Sequence, residues 1–155
     1  MRIESARLDN RKRVFEFATE RGSFAYPYAK ADPQPTPADR VVDLRIDEEM
    51  AGEGIVYRLA SGREGFVHIE MALDYNREPS YMRDLLLHKL TVEALGYLES
   101  SGLSKREVLR LLGTSPAQLY RLLDPADYRK SVDKMLELLS VLGCDVDVSV
   151  RSRSA

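Results

Sequence analysis

From Ser101 to Lys134 the chain carries seven basic side chains, Lys105, Arg106, Arg110, Arg121, Arg129, Lys130 and Lys134, among four acidic ones, Glu107, Asp124, Asp127 and Asp133. This local excess of three positive charges stands in a protein of 155 residues whose net charge is −2. Ammonium and guanidinium groups make charge-assisted hydrogen bonds to phosphate and carboxylate oxygens. Between them lie Gln118, which can donate and accept at once, and Tyr120, which offers a ring and a hydroxyl. Such a mixture suits a polyanion that also displays hydrogen-bonding edges, as duplex DNA does. It is also the ordinary make-up of a solvated helix face, so the elements that hold these residues decide between the two.

Other chemistries find less support. His68 and His88 are the only histidines, they fall in different halves, and Cys144 is the only cysteine. No zinc-protease spacing, paired Cys-x-x-Cys, nucleophile elbow or phosphate-cradling glycine loop occurs. Asp47-Glu48-Glu49 is a carboxylate cluster, read here as the cap of a strand and turn. No catalytic residue, metal ligand or cofactor is expected. A single cysteine, the absence of a long apolar run and an N-terminus without an export pattern lead to the expectation of a cytoplasmic protein with no membrane partner.

The spacing around the basic cluster predicts two short helices joined by a tight turn. Ser104 can cap a new helix and Glu107, three residues on, can reach back to it, which is a capping box. The helix runs through Val108, Leu109, Leu111 and Leu112 to Gly113, where a left-handed residue is wanted. Ser115 is then an N-cap candidate and Pro116 a first-turn proline. A second helix through Leu119, Leu122 and Leu123 stops at Asp124-Pro125. This is the layout of a helix-turn-helix.

From about Leu85 to Leu142 the sequence resembles the Cro/Xre, phage-repressor-like, helix-turn-helix family. The residues that carry the resemblance are Gly102-Leu103-Ser104-Lys105, Leu111-Leu112-Gly113-Thr114-Ser115, Gln118-Leu119-Tyr120-Arg121-Leu122-Leu123, Ser131-Val132-Asp133-Lys134-Met135-Leu136 and the closing Leu142-Gly143. Lys105, Gly113 and Leu119 match the family's spacing, and Val108 and Leu122 fall where it buries apolar groups. Two positions depart from the pattern. The family has a small residue where this chain has Leu109, and Val or Ile where it has Thr114. Leu109 is therefore expected to push the helices slightly apart or to make Thr114 compensate.

With the second helix in a major groove, Pro116, Ala117, Tyr120 and Arg121 would face base edges, and Gln118 could pair with adenine. Lys105 is placed for a phosphate, with Arg106, Arg129 and Lys130 as further backbone contacts.

The first half alternates with a period of two. Val42, Leu44 and Ile46 alternate with Asp43, Arg45 and Asp47, and Ile55, Tyr57 and Leu59 do the same before a turn at Ser61-Gly62 and a return strand from Phe66 to Ile69. Earlier hairpins are expected at Asp9-Asn10 and Arg21-Gly22. Asp32-Pro33-Gln34-Pro35-Thr36-Pro37 reads as an exposed extended loop. A long helix from Tyr81 to Glu99, with Pro79 in its first turn, would turn Leu87, Leu90, Ala94, Tyr97 and Leu98 to one face. Val146, Val148 and Val150 alternate with polar residues and predict a last strand, added to the N-terminal sheet or paired with its copy in a second subunit. Some antitoxin-type members of the family dimerise with a strand at this place, so the resemblance favours pairing with the second subunit.

The expected architecture is α+β: an antiparallel β module over residues 1–77 that binds an effector or partner, then a helix-turn-helix domain over 78–155 ending in a strand. The expected function is sequence-specific binding of double-stranded DNA as a homodimer, most simply transcriptional repression. The resemblance admits a narrower reading, the antitoxin of a toxin–antitoxin pair, with the toxin or another protein held by the β module. The competing reading is a protein-interaction module whose helix-turn-helix is structural and binds no DNA. Lys105, Tyr120 and Arg121 exposed on one face would favour the first.

Overall fold

The computed structural model describes residues 1–153. The protein is α+β. Its described residues form two antiparallel three-stranded sheets, five α-helices and one short 3-10 turn at Tyr28–Lys30. Two compact units divide the chain between Met82 and Arg83.

In the first unit, β1 (Ile3–Asp9), β2 (Val14–Thr19) and β3 (Gly22–Pro27) form one meander, and β4 (Val41–Ile46), β5 (Gly54–Leu59) and β6 (Glu64–His68) the other. The turn between β5 and β6 is set by a residue that tolerates a left-handed backbone, Gly62 (φ 89°). Alternation works as expected along β5, where Ile55, Tyr57 and Leu59 are fully buried and Arg58 is exposed. Along β4 it holds for Leu44 and Ile46, which pack inward while Asp43 and Arg45 are exposed, but not for Val42. The register slips between Val41 and Asp43, so Val41 packs inward while Val42 is exposed. Phe15 and Phe17 of β2 join Tyr57 and Val67 in one core, with Phe15 centroids 4.9 Å from Tyr57 and 4.8 Å from Tyr28. Helix α1 (Ile69–Asn76) follows β6 directly and seals this core with Ile69, Ala72 and Leu73. The expected return strand thus ends at His68, and Ile69 opens a helix. The imidazole Nδ1 of His68 accepts the Glu70 amide at 3.2 Å, so His68 works as a helix cap.

The proline-rich loop between β3 and β4 is irregular but not fully exposed. Pro35 is buried, and the Tyr57 hydroxyl donates to the Pro33 carbonyl at 2.6 Å. Its end is clamped by Asp39, whose carboxylate accepts from Ser61 N (2.8 Å), Ser61 Oγ (2.7 Å) and Arg63 (3.0 Å). The Ser61 hydrogen bonds, aided by Arg63, hold the Asp39 carboxyl below its usual pKa. A depressed carboxylate contributes stability that is present above the unfolded value of about 3.9 and is lost as the pH falls through the folded value. Asp39→Asn is expected to lower the melting temperature by a few degrees at neutral pH and to flatten its acid decline, as measured by thermal denaturation across pH 2–7.

Helix α2 (Pro79–Ser101) begins in the first unit, and from Arg83 onward it joins α3 (Lys105–Leu112), α4 (Pro116–Leu123) and α5 (Val132–Val141) in the second, where Leu87, Ala94, Val108, Leu119, Met135 and Leu138 pack together. The long helix buries Leu87, Thr91 and Ala94, whereas Tyr97, expected on the same face, is exposed. Leu90 and Leu98 lie at the edge of the core. The expected last strand does not form. Residues 144–153 have no ladder partner, and Val148 and Val150 are 85% and 90% exposed. Alternating valines give a strand its faces, but only a neighbouring strand supplies its hydrogen bonds.

Candidate nucleic-acid interface

The turn between α3 and α4 is built by local hydrogen bonds that its sequence dictates. The Glu107 amide donates to Ser104 Oγ (3.1 Å) and the Ser104 amide to Glu107 Oε2 (2.9 Å), closing the capping box. Gly113 ends α3 at φ 63°, ψ 35°, and its amide reaches Leu109 O at 2.9 Å. Ser115 caps α4 through the Gln118 amide, with Pro116 in the first turn. Leu109 is half-buried at the rim of the core. Thr114 turns its hydroxyl to Gln118, donating to Oε1. That contact leaves the Gln118 amide nitrogen to donate outward.

Burial then divides α4 by face. Leu119, Leu122 and Leu123 are in the core, while Pro116, Ala117, Gln118, Tyr120 and Arg121 are exposed. Tyr120 is 62% exposed, and Lys105 of α3 sets its ammonium 5.3 Å from the Tyr120 ring centroid. This cation–π contact holds the two side chains together at the surface. Lys105, Tyr120 and Arg121 are thus all open to solvent, Lys105 and Tyr120 side by side.

The loop between α4 and α5 behaves differently. Arg129 grips Asp127 with two hydrogen bonds, Nε to Oδ1 at 3.0 Å and a terminal nitrogen to Oδ2 at 2.6 Å. Arg121 Nε lies 3.9 Å from the same carboxylate. The Arg129 hydrogen bonds, with the charges of both arginines, push the Asp127 carboxyl far below its ordinary pKa. Arg129 keeps an exposed side chain, but part of its charge is spent on Asp127.

Lys130 is not at the surface. It is 7% exposed, and its ammonium donates to the carbonyls of Asp124 (2.7 Å), Leu122 (3.1 Å) and Arg121 (3.3 Å). Those carbonyls lie at the C-terminus of α4, where Leu122 O lacks a helical amide, so Lys130 serves as the helix cap and is not offered to a phosphate. Burial lowers its pKa. Arg106 is exposed at the start of α3.

Two residues outside the expected set, Ser131 and Lys134, lie beside these. Gln118, Arg121, Arg129, Ser131 and Lys134 border a cleft of about 180 Å³ between α4 and the start of α5. Ser131 caps α5 by accepting the Lys134 amide. The sequence signal was available, since a Ser with a Lys three residues later places that cation in a helix's first turn. Among the described residues, no three His, Cys, Asp or Glu side chains gather as a metal site, and no helix is long and apolar enough to cross a membrane. No protein-family model matches this chain, and comparisons with curated proteins and with solved structures also find no match.

Proposed function

We propose that the α3–α4 unit binds double-stranded DNA, with α4 entering the major groove and the protein acting as a homodimeric transcriptional repressor of the Cro/Xre helix-turn-helix type. The observation that carries this reading is the split of α4 into a buried leucine face and an exposed face bearing Ala117, Gln118, Tyr120 and Arg121, with Lys105 alongside. In that arrangement Arg121 addresses a guanine edge or a phosphate, Ala117 a thymine methyl, and Gln118 a base acceptor through its free amide nitrogen. Lys105 and Lys134 flank the groove as phosphate contacts. An antitoxin role, with a toxin held by the β module, is the narrower form of the proposal.

A structural bundle that binds no DNA is favoured by one observation, the attachment of both Arg121 and Arg129 to Asp127. Gel retardation of the upstream promoter fragment and a scrambled control, across a salt series, separates the two. Arg121→Ala is expected to weaken promoter binding by about 1–3 kcal/mol, roughly tenfold to a hundredfold, and Lys105→Ala to reduce the salt slope by about one. Equal weak retardation of both fragments would leave the bundle reading.

A further inference from the structure

We infer that the first unit carries a binding site for a small organic dianion, a phosphate monoester or a dicarboxylate, in the cleft between the β1–β2 turn and the proline-rich loop. The cleft has a volume of about 280 Å³ and is walled by Tyr28, Pro35, Pro37 and Val41. Its polar lining is Arg13, Arg40, Asn10 and Thr36, and it includes no carboxylate.

These donors are unspent. Among the described residues, neither the Arg13 nor the Arg40 side chain has a hydrogen bond or ion pair. Asn10 accepts the Tyr28 hydroxyl at 3.0 Å through Oδ1, which fixes its amide and leaves the nitrogen free to donate. Thr36 Oγ accepts the Asp39 amide at 3.0 Å and retains its own proton. The neighbouring carboxylates are already compensated, Asp9 by Lys12 and Asp39 by Arg63. Two uncompensated guanidiniums in a cleft also lined by Tyr28, Pro35, Pro37 and Val41 call for a ligand with about two negative charges and an apolar body.

The backbone supplies a second, independent observation. Arg13 closes the β1–β2 turn at φ 58°, a left-handed conformation that glycine or asparagine adopts more cheaply. A bulky cation held there against its own preference lines the cleft; at the Tyr28 hydroxyl, whose pKa is raised by burial and by the Asp9 carboxylate, the Arg13 charge acts in the opposite direction.

The geometry also gives a variant that spares the fold. Arg13→Gly removes the guanidinium and suits the left-handed backbone better than the parent residue does. The test titrates phenyl phosphate and, separately, glutarate into the full chain at constant ionic strength, followed by ¹H–¹⁵N NMR. The expected result is saturable, concerted shifts of the Arg13 and Arg40 Nε–H and Asn10 side-chain amide signals with at least one probe. Arg13→Gly and Arg40→Gln should each weaken that binding by about tenfold or more with the spectrum otherwise native. The tighter probe identifies the phosphate or the carboxylate source. Linear shifts shared with Arg11 and Arg58, or unchanged affinity in both variants, would overturn the site.

Discussion

Gly65→Ala is expected to destabilise the first unit by about 3 kcal/mol or more, a large effect for one methyl group. Gly65 of β6 pairs with Tyr57 of β5, and the Tyr57 ring lies over it. A Cβ built at Gly65 would stand 2.2 Å from both Cζ and the hydroxyl oxygen of Tyr57. The ring has nowhere to go. It is fully buried, packs on Phe15, and is tethered by its hydroxyl to Pro33 O. The same burial pushes the Tyr57 pKa up to about 12. Replacing glycine gains only about 0.4–1 kcal/mol from the stiffer unfolded chain, too little to offset the collision. Calorimetry of the full chain should show the corresponding transition falling by more than about 10 °C.

Gly54→Ala is the informative control. Its Cβ would meet the Phe66 ring at 2.4 Å, a similarly close approach, and the Val67 carbonyl oxygen at a milder 3.3 Å. Phe66, however, is partly exposed and can swing aside, so this variant should cost far less. Combining Gly65→Ala with Tyr57→Leu should recover part of the loss, because the two residues act on one volume. Equal costs for the two glycine variants would show that strand propensity, and not the Tyr57 ring, governs both sites.

What could be read from the sequence was whatever depends on neighbours along the chain. The caps at Ser104, Gly113 and Ser115 are local, so their positions follow from residue type and spacing alone, and the structure places each of them there. The alternation of Ile55, Tyr57 and Leu59 is local in the same sense. Helix α1 was hidden because eight residues are too few to establish a period and because its cap is His68, accepting through a ring nitrogen where a serine or aspartate would have been recognised. The slip at Val42 was hidden because a bulge inverts the alternation without altering composition. The Val146–Val150 alternation supplies two faces but finds no partner strand among the described residues. Arg13 and Arg40 belong to separate turns and meet at one cleft only through the fold.

The basic loop makes the same distinction within a single run of charge. Arg129 and Lys130 are adjacent and were given one role by sequence, yet one side chain is solvated and the other is buried. Lys130→Met keeps most of the apolar stem and removes the charged donor. All three carbonyls at the end of α4 then lose the ammonium; Arg121 O keeps the Asp124 amide and Asp124 O the Asp127 amide, but Leu122 O is left without a donor, an expected cost of about 1–3 kcal/mol to the second unit, measurable by denaturant unfolding. The loop is also held by Arg83, which donates to Tyr128 O (3.1 Å) and Lys130 O (3.0 Å), so the bundle should remain folded. Arg121→Ala should do the opposite, leaving stability nearly unchanged because that side chain is exposed. In the DNA-binding proposal the two variants therefore separate a residue that builds the interface from one that uses it. Lys130→Met would reduce retardation only in proportion to its lost stability, with the salt slope kept, because its ammonium never faced a phosphate. A stable Lys130→Met protein with a shallower salt slope would reverse that assignment and return Lys130 to the DNA-facing surface.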